Sequence, residues 1–301
     1  MVKIEENIDL KKYNTYGVGG SAKYFVLAKS GQDLVDAFNF AKEKHINYLV
    51  LGGGSNVLIS DDGYDGIVIV NKANEIERSG NKVKVSSGAS LARIIKLLSE
   101  EGLAGGEFLA GIPGTLGGAI LGNAGAWGKS IESIIESVEF LNETGVQEIQ
   151  RSEMVFSYRD SSFKKMEGII LSATMVFSEG SSEKVASAVK EILSKRSGKH
   201  PAGKSCGSFF KNIETADLSP EIYNKMRDWE VGGKVAAGKL IEEAGAKGMK
   251  VGGAEVSQMH ANFLVNISDA TAGDIKELAK QVKQKVYEKF SVELEPEVRY
   301  L

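Results

Sequence analysis

Gly111-Ile112-Pro113-Gly114-Thr115-Leu116-Gly117-Gly118-Ala119-Ile120-Leu121-Gly122-Asn123-Ala124-Gly125-Ala126-Trp127-Gly128 is the stretch around which the chain is organised. Seven of its eighteen residues are glycine and none is charged. A flexible linker would carry Ser, Glu or Lys in place of these Ile, Leu, Ala and Trp side chains. Glycine in such company lets backbone approach a partner closely, or supplies positive φ. Pro113 suits the first turn of a helix, where its missing N–H costs nothing. Free amides at a helix start face an anion, so the expectation is a phosphate-bearing ligand lying flat against this backbone. The alternative is tight packing of a glycine-rich helix.

The rest of the composition narrows the possibilities. With 301 residues and 42% hydrophobic content the chain is ordinary globular material for two or three domains. A formal charge of −3 gives no electrostatic case for nucleic acid or an anionic membrane. No apolar run reaches the ~18–20 residues of a spanning helix, and Met1-Val2-Lys3-Ile4-Glu5-Glu6 lacks the apolar core of a signal peptide. The single cysteine, Cys206, rules out an internal disulfide and fits a reducing, cytoplasmic setting. His45, His200 and His260 lie far apart without ligand spacing, so no metal site is expected.

Working outward along the chain, residues 23–28 predict a strand. Ser30 with Asp33 predicts a capped helix to about Lys44, with Leu34, Phe38 and Ala41 on one face. Tyr48-Leu49-Val50-Leu51 then runs straight into Gly52-Gly53-Gly54-Ser55-Asn56, whose amides and side chains can hold a pyrophosphate in a backbone nest. This is not GxGxxG, and Val57-Leu58-Ile59 continues as strand rather than helix, so dinucleotide-fold and P-loop readings fail on context. Further strands are expected at 66–71, 82–87 and 168–177, a hairpin at 135–142 with 146–151, and helices from Ser90 to Glu101 and from Ser181 to about Lys199. Residues 156–163 read as a loop. Lys199-His200-Pro201-Ala202-Gly203-Lys204 marks a boundary. Beyond it come helices near 220–228 and 236–245, a strand at 262–266, a long helix opening at Thr271 with Ile275, Leu278, Val282 and Val286 at core spacing, and a strand from Leu294 to Leu301. The content suggests a small α+β domain.

Eight motifs occur in a familiar order: Asn14-Thr-Tyr-Gly-Val-Gly-Gly20, Leu51-Gly-Gly-Gly-Ser-Asn56, Ala110-Gly-Ile-Pro-Gly114 with Gly117-Gly118, Asn123-Ala124-Gly125, Ser157-Tyr158-Arg159, Gly207-Ser-Phe-Phe-Lys-Asn212, His260-Ala-Asn262 and Leu294-Glu-Pro-Glu-Val-Arg299. Together they resemble the UDP-N-acetylenolpyruvoylglucosamine reductase family, from about residue 13 to the C-terminus. The resemblance implies an α+β protein: an FAD-binding fold of the vanillyl-alcohol-oxidase type in two subdomains, expected at 1–72 and 73–199, plus a small C-terminal α+β domain at 200–301 that binds the UDP-sugar. Arg159 and Ser208 are 49 positions apart, which leaves little room for the extra segment of the longer subtype and points to the shorter one. Ile213 stands where many members have proline, and the family's usual tail after the last motif is not seen.

The implied reaction, a step of peptidoglycan precursor synthesis, reduces an enol ether conjugated to a carboxylate. NADPH reduces FAD, and the flavin delivers hydride to the β-carbon of the enolpyruvyl group. Negative charge then spreads into the carboxylate, which calls for a clamp and a proton donor. The resemblance gives Arg159 the clamp, where a permanently charged planar fork matches a carboxylate; by residue type alone it reads as a surface partner of Asp160. Glu297 polarises the same carboxylate if protonated, which needs a pKa raised above ~4.3; its alternatives are a pair with Arg299 or an exposed charge, and Glu295 is its confusable neighbour. Ser208 fits the proton donor, with help from Lys211 or a water relay, or is a turn serine. The resemblance gives FAD binding to Gly52, Gly53, Gly54, Ser55, Asn56, Gly111, Ile112, Pro113, Gly114, Gly117, Gly118, Asn123, Ala124 and Gly125. It gives substrate or diphosphate contacts to Tyr158, Lys199, Asn212 and His260, each of which could also be a packing residue. Cys206 reads as a small buried hydrophobe rather than a nucleophile. The implied partners are a UDP-sugar and NADPH, with a monomeric chain. Competing readings are another flavoprotein oxidase of the same fold and a non-catalytic flavin or UDP-sugar sensor. The first would show a His or Cys for covalent flavin inside the glycine motifs; the second would lack Arg159, Ser208 or Glu297.

Overall fold

Tyr64–Asn71 is buried on both faces from Gly66 onward, the signature of a central strand covered on each side. In the computed structural model, which describes residues 2–198 and 201–301, it runs parallel to Ser21–Ala28 on one side and Tyr48–Leu51 on the other. Glu5–Asp9 adds an edge strand, giving a four-stranded sheet. Gly31–Glu43 is the expected helix. The Ser30 hydroxyl and the Asp33 carboxylate cap it reciprocally, and its Leu34, Ala37, Phe38 and Ala41 join Val26, Ile67 and Ile69 in one apolar cluster.

A second sheet is antiparallel throughout, in the order Gly145–Gln150, Ile135–Asn142, Ile169–Val176, Lys82–Ser86, Ile76–Ser79. Leu141 and Ile169 join the cluster of the first sheet and its helix, and a register irregularity between Glu139 and Phe140 reverses the alternation within Ile169–Val176. Val138, Phe140, Ala173 and Met175 turn the other way, toward Leu91, Ile94 and Leu98 of the helix Leu91–Glu101. Both sheets lie in one compact unit, made of residues up to Ile8, Ala22–Gly53 and Tyr64–Ser197.

The other unit consists of Asp9–Ser21, Gly54–Gly63 and the chain from Gly198 onward. Its C-terminal boundary falls close to residue 200, but it also takes in two short segments that the sequence reading keeps within residues 1–72. The long helix, Ala272–Phe290, is capped reciprocally by Thr271 and Asp274, and Asp61 accepts from the N–H groups of Ala272 and Gly273 at 2.9 Å each. Its Ile275, Leu278, Val282 and Val286 are fully buried with Tyr16, Phe209 and Phe210. Val57–Leu58 pairs in parallel with Arg299–Tyr300.

Four expectations need correcting. The helix of the glycine stretch is only Leu116–Leu121, so Pro113 precedes it rather than opening it. Gly114 at φ +114 and extended Thr115 break the chain there, locked by Leu91 N–H to Gly114 O and Leu116 N–H to Ala89 O. Residues 156–163 are not merely a loop: Phe156–Ser157 and Asp160–Ser161 form a minimal hairpin. The last strand is confined to Arg299–Tyr300, since Pro296 cannot donate to a ladder and makes only an isolated bridge with Phe210. The C-terminal region has the three expected helices, Pro220–Met226, Ala237–Glu243 and Ala272–Phe290, but also two three-stranded sheets among the described residues, more strand than expected.

Candidate flavin and substrate site

The glycines of the first unit divide by what a Cβ would meet. At Gly52 it would run into Thr115 Oγ1, and at Gly53 it would come 3.1 Å from Gly114 Cα, so the loop after Tyr48–Leu51 lies directly against the glycine stretch. At Gly117 it would come 3.0 Å from Ser87 Cβ, and Gly117 N–H donates to Ser87 O. Ser87 is fixed in turn, accepting from Asn71 Nδ2 at 2.8 Å and donating to Ile170 O at 2.5 Å. Gly125 would strike Lys129 O. Tight packing therefore explains these four. Gly118 differs: its φ is not positive, and the nearest atom to a Cβ is Thr115 Oγ1 at 3.7 Å. Contacts with the rest of the chain do not require glycine there, and the bare backbone is open to close approach.

The C-terminal end of the stretch holds the Arg159 turn. Ser161 Oγ donates to Leu121 O, Asn123 Nδ2 to Ser157 O at 2.9 Å and to Glu132 Oε1 at 3.1 Å, and Arg159 Nη1 to Gly125 O at 3.1 Å. Asn123 and Arg159 both adopt left-handed conformations, φ +42 and +56. Non-glycine residues rarely do so, and such strain gathers where surrounding structure dictates geometry. The guanidinium of Arg159 also lies 5.5 Å from the Tyr158 ring centroid. Asn123 Oδ1 is buried and accepts no hydrogen bond among the described residues. A bare glycine surface at Gly118 and an orphaned buried acceptor at Asn123 fit a flat cofactor with a hydrogen-bonding edge.

In the second unit the main chain of Phe209 is the anchor. Its N–H donates to Asn262 O at 2.7 Å, and its carbonyl accepts from Glu297 N–H at 2.8 Å. Buried Asn262 brackets Phe210 as well, accepting from its N–H and donating to its carbonyl. Ser208 precedes this anchor, after Gly207 at φ +83, and so lies beside the segment that carries Glu297. Asn56 Nδ2 donates to Glu297 O at 3.1 Å, which brings part of the 52–56 loop to the same place. Gly54 would meet Tyr13 O.

Other candidates have structural work. Lys211 pairs with Glu295 at 2.6 Å. Asn212 Oδ1 accepts from Ala237 N–H at 3.1 Å, capping the helix Ala237–Glu243. His260 Nδ1 accepts from Asn262 N–H, and its ring packs on Phe263. Lys199 lies outside the described residues. Cys206 is buried, as its residue type suggested, and donates to Tyr16 Oη at 3.3 Å. The sequence reading quoted Asn262 without giving it a role, and passed over Thr115, Asn71 and Ser87. A polar residue closing the buried run Ile67–Val70 was the available signal for Asn71. Among the described residues no cluster of His, Cys, Asp or Glu is placed to hold a metal, and no helix is long and apolar enough to cross a membrane.

A two-sheet α+β unit with an open glycine cradle defines an FAD-binding flavoprotein, and residues 22–149 match the model described as an FAD binding domain. Residues 199–301 match the C-terminal domain of UDP-N-acetylenolpyruvoylglucosamine reductase. The reductase of that name from Caldicellulosiruptor bescii is 38% identical over 297 residues, covering 97% of this chain and 88% of the relative. Its counterpart in Clostridium novyi is 38% identical over 300 residues, covering 99% and 92%. The crystal structure of the Thermus caldophilus UDP-N-acetylenolpyruvylglucosamine reductase superposes with a TM-score of 0.80 at 30% identity, over 100% of this chain and 99% of that one. The chain belongs to the UDP-N-acetylenolpyruvoylglucosamine reductase family.

Proposed function

We propose that this chain is an FAD-dependent, NADPH-consuming enzyme that reduces the enolpyruvyl group of UDP-N-acetylglucosamine enolpyruvate to give UDP-N-acetylmuramate. It works in the cytoplasm, as a monomer, in peptidoglycan precursor synthesis. The observation that carries this reading is the pairing of an FAD-binding match over residues 22–149 with the reductase's C-terminal domain over residues 199–301, the stretch that includes Ser208 and Glu297.

Bound FAD supplies the hydride, which it obtains from NADPH. Gly52 to Asn56, Gly111 to Gly114, Gly117, Gly118 and Asn123 to Gly125 would hold the cofactor, with Gly118 offering bare backbone and Asn123 Oδ1 a buried acceptor. Arg159 binds the substrate carboxylate. Its planar, permanent charge meets the negative charge that builds there as the double bond is reduced. The bonds from Gly125, Asn123 and Leu121 to this turn fix the guanidinium before substrate arrives. Glu297, protonated, donates to the same carboxylate, and Ser208 gives a proton to the α-carbon. Tyr158, Lys199, Asn212 and His260 contact the substrate or its diphosphate.

Purified protein should be yellow, with FAD released by acid. NADPH should bleach it without oxygen, and the enolpyruvyl substrate should restore the colour and yield UDP-N-acetylmuramate. Protein that takes up no FAD, or a bleached protein that this substrate leaves bleached, overturns the reading. Light scattering at one chain mass tests the monomer.

A further inference from the structure

Phe156–Ser157 and Asp160–Ser161 pair across a two-residue loop, Tyr158 and Arg159, and of these two only Arg159 has a positive φ, +56. A positive φ at the second loop residue calls for Gly or Asn, and the turns that suit the twist of a hairpin place it at the first. Arginine meets neither condition, so this conformation is imposed from outside the loop. Lys164 Nζ donates to Arg159 O at 2.7 Å and pairs with Asp160 Oδ1 at 3.2 Å. An ammonium on a main-chain carbonyl makes a charge-assisted bond, and here it falls on the strained residue itself. The core holds Lys164 in turn. It ends the short helical turn Ser162–Lys164, whose Phe163 is buried against Phe140 with ring centroids 5.6 Å apart. Ser162 N–H donates to Val155 O at 2.8 Å and fastens the start of that turn to the chain before the hairpin.

We propose that Lys164 is a positioning residue for the carboxylate clamp, fixing the main chain of Arg159 so that its guanidinium keeps its place against Gly125 O. This rests on the reading of Arg159 as the clamp. The arginine is held at both ends, its Nη1 by Gly125 O at 3.1 Å and its carbonyl by Lys164 Nζ at 2.7 Å. Without the ammonium the loop is free to leave the left-handed conformation, and rotation of the main chain at Arg159 carries the guanidinium with it. A displacement of about 1 Å at a group that meets developing charge costs on the order of 10²-fold in rate. Lys164 therefore acts on the reaction through Arg159 and not by its own contact with substrate.

The test uses FAD-loaded protein and rapid-mixing absorbance. Lys164→Met and Lys164→Gln remove the charge and keep a stem, whereas Lys164→Arg keeps a cationic donor. At saturating enolpyruvyl substrate both neutral variants should reoxidise about tenfold or more slowly than wild type, with flavin reduction by NADPH changed by less than about threefold. Lys164→Arg should recover most of that loss. In an Arg159→Ala background Lys164→Met should slow reoxidation by less than about twofold, because no guanidinium is left to position. Neutral variants with wild-type reoxidation overturn the proposal. Equal slowing by Lys164→Met with and without the Arg159 side chain overturns it too, giving Lys164 a contact of its own with substrate. Neutral variants that take up no FAD, or that slow both half-reactions alike, overturn it by assigning Lys164 to the folding of the unit. If Arg159→Ala itself reoxidises at the wild-type rate, the clamp reading falls, and the proposal with it.

Discussion

Asn123 donates from Nδ2 to the main-chain carbonyl of Ser157 at 2.9 Å, and so ties the end of the glycine stretch to the turn that carries Arg159. The same amide donates to Glu132 Oε1, and Arg151 Nη2 holds that carboxylate at 2.9 Å. The proposed cofactor cradle and the proposed carboxylate clamp are thereby one hydrogen-bonded piece within the first unit.

Asn123→Ala should therefore damage both parts. Losing two hydrogen bonds at a buried site costs about 1–3 kcal/mol, and alanine at φ +42 adds strain. Urea unfolding should show the loss. Asn123→Gly should recover only the share due to backbone strain. A variant as stable as wild type would show that the turn is held by its other bonds.

Substitutions at Gly118 and Gly53 should separate cofactor binding from folding. At Gly118 a methyl group meets nothing of the protein closer than 3.7 Å, so Gly118→Ala should fold normally and Gly118→Val should bind FAD poorly. Gly53→Val should lose stability as well as FAD, because its side chain presses on Gly114 Cα. Flavin absorbance per chain and thermal unfolding, measured together, distinguish the two. Full FAD occupancy in Gly118→Val would remove that residue from the cradle.

Arg159→Lys should slow reoxidation of the flavin by the enolpyruvyl substrate while NADPH still bleaches it, since a point charge lacks the bidentate fork. Rapid-mixing absorbance at the flavin band follows each half-reaction. Equal slowing of both would place the defect in folding or in cofactor binding.

Ser208→Ala should leave flavin reduction by NADPH near wild type, because protonating the α-carbon plays no part in it. Reoxidation by the enolpyruvyl substrate should fall by about 10²–10⁴-fold, the range typical of a lost general acid. Ser208→Cys, which keeps a transferable proton, should recover part of that. An alanine variant reoxidised within a few-fold of wild type would pass the role to Lys211 or Glu297.

Alkali should destabilise the second unit through Cys206. Burial pushes its thiol from 9.0 up to about 12, and burial likewise raises Tyr16, whose hydroxyl accepts from the thiol and donates to Leu264 O. Both groups stay protonated in the folded chain after the unfolded chain has begun to release its protons. Stability is thus fully present below pH 9 and falls as pH rises from 9 toward 12, with Cys206 contributing about 1 kcal/mol of loss at pH 10. Urea midpoints at pH 8 and pH 10 should differ less for Cys206→Ala than for wild type. An equal difference would assign the alkaline loss to other groups. For the same reason the folded protein should resist thiol alkylation at pH 8.

Much of this protein is settled within a few residues of chain. Ser30 with Asp33 and Thr271 with Asp274 close their own caps three residues apart, and Ile275, Leu278, Val282 and Val286 share a face by helical spacing. The sequence by itself therefore determined the principal helices and sheet strands, the glycine stretch and the ordered motifs that place the chain in its family. Which glycine faces what was beyond it. Gly53 and Gly118 look alike in sequence, yet one rests on Gly114 and the other stands open, because that outcome depends on segments far apart in the chain. The onset of the helix at Leu116 was decided in the same way, by bonds to Ala89 and Leu91 rather than by Pro113. Tertiary structure also gave Asp9–Ser21 and Gly54–Gly63 to the second unit and set Arg159 in a left-handed turn. Cap bonds and helical periodicity act over one or two turns of chain, whereas close packing and burial are properties of the assembled unit.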